Sequence, residues 1–324
     1  MLKFLAMDRF TILLIAMVLL ASFLPIAGQA AQVFATVTTV AIAILFFLHG
    51  AKLSREAVIE GMLHWKMHAV VFAFTFAIFP ILGLLSRPIL EPLLGPALFQ
   101  GFLFMCFLPS TVQSSIAFTS VAKGNVAGAV CSASFSNIIG MFLTPVLVAI
   151  FILGQSTHQF DPTTSILQIT LLLLLPFVLG QLLRPWVFPW MQKLPKIVKV
   201  FDQGSILMVV YAAFSSAVVA GLWQQVSAMT LLYLVIACSV LLTIVMLLAR
   251  FLAKKLGFNL ADQKTIFFCS SKKTLASGVP MAQILFIGQP LGMLVLPIMI
   301  FHQIQLMVCG IIAARWAQQS QDEV

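Results

Sequence analysis

The chain has 324 residues, of which 61% are hydrophobic and only 8% are charged, and its formal net charge is +9. The surface of a water-exposed fold needs roughly a quarter to a third of charged residues. This composition excludes a soluble domain and predicts a protein that spans a lipid bilayer. The basic residues fall in short gaps between apolar runs, where they orient a membrane protein, so nucleic-acid binding is excluded as well.

The apolar runs predict an all-α polytopic membrane protein. Each membrane-crossing helix needs about 20 mostly apolar residues. The first run has the length of a span and many similar runs follow it, so we interpret it as a retained helix and not as a signal peptide. The ten predicted spans cover about residues 10–27, 33–50, 67–86, 98–121, 125–153, 162–184, 202–221, 228–252, 262–286 and 291–315.

The basic residues predict the orientation of these spans. All but three of the 18 Lys and Arg residues fall on one side of the membrane. Arg87 falls on the other side, and Lys272 and Lys273 lie inside span 9. Because Lys and Arg near span ends favour the cytoplasm, we expect both termini to be cytoplasmic.

Ten spans divide into two halves of five, and an odd number of spans gives the halves opposite orientations. Inverted repeats of this kind are typical of secondary transporters. We therefore expect a single membrane unit with a first repeat at 1–154 (helices 1–5) and a second at 155–324 (helices 6–10). No polar insertion is long enough for a nucleotide-binding domain, which excludes ATP-driven transport by this chain alone.

Polar residues concentrate inside spans 4 and 9. An unsatisfied polar group in a bilayer costs several kcal/mol, so such clusters are expected to face a cavity or another helix. Pro109 removes a helical hydrogen bond from span 4, and Gly278 and Pro280 close a polar run in span 9. Both spans are predicted to be broken helices, which mark binding sites in transporters. The candidate substrate- or ion-binding residues in these spans are Thr111, Gln113, Ser114, Ser115, Ser270, Ser271, Lys272, Lys273, Thr274 and Ser277. For any single serine, close helix approach is the alternative role.

Lys272 and Lys273 are the least expected of these residues. A mid-span lysine costs about 2.5–3.5 kcal/mol on insertion scales, so it should be paired or hydrated unless it snorkels to the interface. On a helix the two side chains point about 100° apart, so we expect one in a cavity and one in a structural role. All nine Asp and Glu residues fall at span ends, in gaps or in tails. A buried ammonium group without a carboxylate attracts anions, and the predicted substrate is therefore a small organic anion.

Spans 5 and 10 add Ser132, Ser134, Asn137, His302 and Gln303 as candidate binding residues. We expect Asn137 and Gln303 to hydrogen-bond the broken segments. His302 either carries a proton or donates a hydrogen bond between helices. The five cysteines lie in apolar stretches, without the spacing of a disulfide framework or a zinc site, and we predict no cofactor and no certain metal site.

Four segments resemble a known family: FLHGAKLS at 47–54, GNV at 124–126, SKK at 271–273 and IFHQIQ at 300–305. Over its whole length the chain resembles the SBF-like branch of the bile acid:sodium symporter family, including bacterial inner-membrane members. The resemblance implies a panel of helices 1, 2, 6 and 7 and a core of the other six, in which broken helices 4 and 9 cross. It also implies alternating access by movement of the core against the panel.

In sodium-coupled members of this family, Ser, Asn and Thr of helices 4 and 5 and a Glu and a Gln of helix 9 hold the ions. The residues that approximate the ligands of helices 4 and 5 are Gln113, Ser114, Ser115 and the segment 132–134. In helix 9, Cys269 or Ser270 stands at the Glu position and Lys273 near the Gln, so the carboxylate is missing. We hypothesise that a lysine ammonium group takes the place of a sodium ion.

The sequence therefore predicts a secondary transporter of a small organic anion, coupled to sodium as the family implies or to a proton on a lysine. The alternative is a membrane regulator or sensor of ion homeostasis that acts through a partner without net transport. An enzyme is disfavoured because no buried carboxylate, nucleophile–base pair or metal-ligand cluster is visible. The expected partners are the anion and the lipid bilayer, and the sequence specifies no oligomeric state.

Overall fold

The computed structural model describes residues 9–52, 64–153, 175–219, 221, 224 and 226–322. These residues form helices joined by short connections, with no strand among them. The all-α architecture predicted from the sequence is confirmed for this part of the chain. Most of predicted span 6 and the predicted boundary between the two repeats lie outside the described residues.

We label the helices of the described ranges α1–α14. Six of them, namely α2, α3, α7, α10, α11 and α14, are long and apolar enough to cross a membrane by length and composition. The helices are α1 (Arg9–Phe23), α2 (Gly28–Lys52), α3 (Trp65–Leu85, with a π-helical turn at Phe74–Ile78), α4 (Arg87–Leu94), α5 (Pro96–Phe107), α6 (Gln113–Val121), α7 (Val126–Phe151), α8 (Leu175–Leu182), α9 (Arg184–Lys193), α10 (Pro195–Val219), α11 (Ala228–Lys255), α12 (Leu260–Ser270), α13 (Leu275–Leu285) and α14 (Leu291–Asp322).

Within the described residues most helices lie near predicted spans, but α4 and α9 match no predicted span, and α10 and α14 are clearly longer than predicted. Helix α10 begins at Pro195, before the predicted start at about 202, and α14 continues past the predicted end at about 315 to Asp322. The added turns carry polar and charged residues. A prediction based on apolar runs does not include such residues, although they continue the helix. Three helix starts have side-chain caps of the usual kind, with Asn125, Ser227 and Asn259 accepting from backbone N–H groups of α7, α11 and α12.

The helices form two packed groups, which are joined through α10 because this helix also packs against α13 and α14. In the first group, α2 packs against α8 and α10, and α1 packs against α10. A Cβ atom at Gly50 of α2 would overlap the Phe177 carbonyl of α8, and one at Gly180 of α8 would overlap the Phe47 carbonyl of α2. Only glycine at both positions permits this close approach of two helix backbones.

The second group contains α3, α5, α6, α7, α11, α12, α13 and α14, and its centre is formed by two interrupted helices. Helix α5 ends at Phe107 and α6 begins at Gln113, and α12 ends at Ser270 before α13 begins at Leu275. Both predicted breaks are therefore present. Gly278 and Pro280 do not close the second break but lie inside α13.

Candidate functional site

The two breaks are hydrogen-bonded to each other. The backbone N–H of Thr274 donates to the Pro109 carbonyl at 3.0 Å, and the Ser110 hydroxyl donates to the Cys269 carbonyl at 2.6 Å. A helix end leaves backbone groups without partners, and inside a membrane they must be satisfied within the protein. Each break therefore donates a hydrogen bond to a backbone carbonyl of the other break. These two bonds connect the half-helices α5 and α6 with α12 and α13.

Lys273 fills the centre of this crossing. Its side chain is fully buried, and Nζ donates to the carbonyls of Thr75 at 2.8 Å, Cys106 at 2.8 Å and Leu108 at 2.7 Å. These contacts use all three N–H donors of the ammonium group. The Phe79 ring centroid lies 4.2 Å from Nζ. The ammonium group thus meets carbonyl oxygens at the end of α5, where the helix dipole is negative.

Lys272 occupies a different environment. It is also fully buried, but Nζ donates to the Ser114 carbonyl of α6 at 2.7 Å and lies over the rings of Phe118 at 4.0 Å and Phe268 at 5.4 Å. The aromatic faces supply cation–π stabilisation. Neither lysine lines the cavity described below, and the expectation that one of them faces a cavity stays a prediction. Both lysine side chains are held by backbone carbonyl groups and aromatic rings.

The backbone of the breaks is held by side chains of α7 and α14. Asn137 donates to the Ser110 carbonyl at 2.6 Å, as expected from the sequence, and the Ser110 N–H donates to Ser136 Oγ at 3.1 Å. On α14, the residue that bonds the break is Gln305 and not Gln303. Its amide accepts from the Lys273 N–H at 2.8 Å and donates to the Lys273 carbonyl at 2.9 Å.

Other predicted residues lie around this centre in several small sets. Thr111 Oγ1 contacts Ser114 Oγ at 2.7 Å and Ser115 Oγ at 3.3 Å. The hydroxyls of Ser270 and Ser277 are buried without a hydrogen-bond partner among the described residues.

The remaining predicted residues lie further out. Ser132 Oγ meets Nδ1 of His68 on α3 at 2.7 Å, and the Ser271 hydroxyl lies 4.0 Å from the Cys309 sulfur. His302 Nδ1 lies 2.9 Å from Nε2 of Gln305. Ser134 and Gln303 are half-buried on α7 and α14.

A cavity of about 400 Å³ separates the first group of helices from the first turns of α6 and α13. Gln113 is the first residue of α6, and Ala276 is the second residue of α13. The polar and charged residues that line this cavity are His49, Lys52, Gln113, Gln192, Lys199, Asp202 and Gln203. Among these described residues, Lys52 and Lys199 are cationic and Asp202 is a carboxylate, so the lining carries an excess of positive charge.

Asp202 is the functional candidate that sequence reasoning missed, because it was assigned to a span end. It lies within α10 and pairs with Lys52, the last residue of α2. The Asp202 side chain is only 15% exposed. The signal in the sequence was the helical spacing from Lys199 to Asp202 and Gln203, which places these residues near one face of α10.

The oxygen atoms at the crossing are the candidate ligands for a sodium ion. Among the described residues, no group of three or more His, Cys, Asp or Glu could hold a metal ion. The three carbonyls that surround Lys273 Nζ are already occupied by the ammonium group. A sodium ion does not fit at that position while Lys273 is in place.

An all-helical, multi-pass membrane protein with two crossing broken helices is the class that this fold and site define. Residues 8–318 match the SBF-like CPA transporter family (DUF4137), and the chain belongs to this family.

Full-length relatives support the assignment. The chain is 54% identical over 315 residues to "Uncharacterized protein PA2026" of Pseudomonas aeruginosa, and 52% identical over 319 residues to "Putative symporter YfeH" of Escherichia coli. Both alignments cover 97% of this chain and 94% of the relative. It is 30% identical over 281 residues to "Sodium/bile acid cotransporter 7" of Rattus norvegicus, covering 86% of this chain and 82% of that protein. The name of the family and the names of the Escherichia coli and Rattus norvegicus relatives all indicate transport.

Proposed function

We propose that the protein is a secondary transporter that carries a small organic anion by alternating access, with the cavity between the two helix groups as its binding site. The observation that carries this proposal is the composition of the lining, in which two cations, Lys52 and Lys199, face one carboxylate, Asp202, among the described residues. The cavity is also large enough for an organic molecule, because ligand pockets start at roughly 300 Å³.

The ends of the broken helices add to this preference for anions. The cavity reaches the first turns of α6 and α13 through Gln113 and Ala276. The N-terminal end of a helix carries a partial positive charge and unpaired N–H groups. Half-helix N-termini bind anionic substrate groups in other secondary transporters, and we assign them the same role here.

The position of the cavity supports the proposed mechanism of movement. In this proposal the first group of helices is the panel, the second group is the core, and the full chain has ten membrane helices in two inverted repeats. A site between two packed groups changes its exposure when one group moves against the other. The basic residues at the ends of α2, α10 and α11, such as Lys52, Lys199 and Lys255, support a cytoplasmic location for the side on which this cavity opens. We place the protein in a bacterial inner membrane, with both termini in the cytoplasm.

Sodium is not required at the crossing in this proposal, because the Lys273 ammonium group is a built-in cation there. A sodium ion is usually bound by several oxygen ligands, and the carbonyls of Thr75, Cys106 and Leu108 would be suitable ligands if the lysine were absent. The names of the more distant relatives include sodium. The contacts of Lys273 favour a different coupling for this chain.

Thermal melting of the purified protein tests the proposal. A ligand that binds the folded state raises Tm by mass action. We expect a higher Tm with at least one of acetate, benzoate or taurocholate, equally in sodium and in potassium salts. Ala276→Trp should abolish that increase by filling the cavity, whereas Leu232→Trp on the exposed face of α11 should retain it.

Flux into proteoliposomes then separates transport from sensing. Uptake of the stabilising anion, lost in Ala276→Trp and retained in Leu232→Trp, is the expected result. Stabilisation by the anion without any uptake would contradict the proposed transport and favour a regulator or sensor. If none of the three anions raises Tm or is taken up, an organic anion is not the substrate.

A further inference from the structure

We propose that Lys52 and Asp202 form a proton-coupled anion site, in which the substrate anion replaces Asp202 at the Lys52 ammonium group and the displaced carboxylate takes up one proton. This inference rests on the proposed function and names its coupling ion. His49 and Lys52 belong to one of the segments that carry the family resemblance, and both line the cavity. The inference gives them a role there.

The geometry of the pair makes the exchange possible. Lys52 at the end of α2 and Asp202 in α10 are ion-paired across the wall of the cavity, and both line it. Their side chains are 36% and 15% exposed, so the ammonium group is accessible from the cavity while the carboxylate is largely shielded. The pair belongs to the first group of helices only, so it can open without separating the two groups.

The two carboxylate oxygen atoms of Asp202 differ in their contacts. Oδ2 pairs with Lys52, while Oδ1 is buried with no hydrogen-bond partner among the described residues. Nδ1 of His49, one helical turn before Lys52, is also buried without such a partner. Buried polar atoms are normally hydrogen-bonded, and each exception needs an explanation. A site that binds a proton and an anion in turn accounts for both exceptions.

The other groups that face the pair limit where the proton can go. Helix α2 contributes His49 and Lys52, and α10 contributes Lys199 and Asp202. The lining residues from α1, α6, α9 and α13 carry no charge; they include Phe10, Gln113, Gln192 and Ala276. Among the described residues of the lining, Asp202 is the only carboxylate, and Lys199 supplies a second positive charge for the anion.

The exchange balances in charge and in atoms. At rest the site holds one ammonium group and one carboxylate. After binding it holds the same ammonium group, the substrate anion and a neutral carboxyl group, whose new O–H bond uses a proton from water. The net charge is unchanged, so one anion and one proton enter together. A carboxylate that loses its cationic partner in a shielded cavity favours its neutral form.

The same exchange prevents uncoupled movement. Without the anion, Lys52 recaptures Asp202 and the proton is released. By thermodynamic linkage, a proton that favours anion binding must itself be bound more tightly when the anion is present. The coupling therefore favours the states in which the anion and the proton are both bound or both absent.

Proton uptake on anion binding tests the inference directly. The purified wild-type protein is titrated at pH 7 in weakly buffered detergent solution with the potassium salt of whichever anion raises Tm most, and a pH indicator reports protons taken up. We expect uptake of up to about one proton for each bound anion, as linkage requires for a single site. The matched control is Glu91→Gln, which removes another ion-paired carboxylate, from the Arg87–Glu91 pair outside the cavity, and it should leave the uptake unchanged.

Variants of the pair assign the proton. Asp202→Asn should still be stabilised by the anion but lose at least about nine-tenths of the uptake, because a neutral amide does not titrate. Asp202→Glu should restore the uptake. If Asp202→Asn gives too little folded protein, Lys52→Gln replaces it, and loss of both anion stabilisation and proton uptake is then expected.

Each contrary result has a distinct meaning. If no anion stabilises the wild type, the proposed function fails and this inference fails with it. If an anion stabilises the wild type without proton uptake, only the inference is overturned. Uptake that persists in Asp202→Asn and disappears in His49→Gln assigns the proton to His49 and overturns the role given to Asp202. Unchanged uptake in Lys52→Gln overturns the exchange.

Discussion

The side-chain amide of Gln305 forms two hydrogen bonds with the backbone of Lys273. The Lys273 N–H donates to Oε1 at 2.8 Å, and Nε2 donates to the Lys273 carbonyl at 2.9 Å. Both residues are fully buried. Gln305 therefore provides hydrogen-bond partners for backbone groups at the break between α12 and α13. It also fixes the backbone position of Lys273, whose side chain extends to the end of α5.

Gln305→Leu should lower Tm strongly, because it leaves the N–H and the carbonyl of Lys273 buried and unsatisfied. Each such group costs about 1–3 kcal/mol. The control is Gln303→Leu, which replaces a half-buried glutamine of the same helix and should have a much smaller effect. Thermal melting in detergent compares the two variants, and equal decreases in Tm would contradict this role of Gln305.

Lys273→Gln should make the stability of the protein depend on sodium. The substitution removes the ammonium group from three carbonyls, and these oxygens are suitable ligands for a hard cation. The variant should melt below the wild type in potassium chloride and recover part of the loss in sodium chloride. Lys272→Gln should show no sodium-specific recovery, because Nζ of Lys272 meets one carbonyl and two rings. Stabilisation of the wild type itself by sodium would disprove the replacement of sodium by lysine.

Gly140→Ala should destabilise the break in α5–α6. A Cβ atom at Gly140 of α7 would lie 2.6 Å from Cβ of Pro109, and overpacking of this kind costs typically about 1–3 kcal/mol. At Gly204 of α10, nothing lies within 4 Å of the added atom, so Gly204→Ala should keep or slightly raise Tm. A Gly140→Ala variant as stable as the wild type would show that Pro109 can move at no cost.

Lys199→Glu should abolish stabilisation by anions, because it replaces a positive charge of the cavity lining with a negative one. Lys196→Glu is the matched control, since Lys196 lies one helical turn earlier on α10 and is exposed. The anion-dependent rise in Tm is measured for both variants at low salt, where electrostatic effects are least screened. Equal reductions would indicate a general surface effect and not a site in the cavity.

The sequence predicted the two breaks because both depend on local chemistry. Pro109 cannot donate a helical hydrogen bond, and a run of hydroxyls and lysines cannot lie in lipid. Those signals lie within a few residues of each other in the chain. The same reasoning placed Asn137 correctly at the break, where it bonds the Ser110 carbonyl.

The sequence did not predict the side-chain contacts that depend on how each helix is rotated about its own axis. Gln303 and Gln305 are both glutamines in α14, and only their directions on the helix decide which one meets Lys273. Asp202 was assigned to a span end because an apolar window cannot include a charged turn, although α10 begins at Pro195 and carries it into the cavity wall. The Thr75 carbonyl, which accepts from Lys273, lies in a π-helical turn of α3 that no sequence signal had indicated.

The sequence by itself determined that this protein lies in a membrane, is built of helices and has two interrupted spans with lysines in one of them. Composition and hydrogen-bonding requirements of the bilayer are enough for these conclusions, because they apply to each segment separately. Only the tertiary structure decided that both lysines are enclosed and that Lys52 and Asp202 meet beside the cavity. These relationships join residues up to about 200 positions apart in the chain, as with Lys273 and Thr75, and depend on how whole helices pack and rotate.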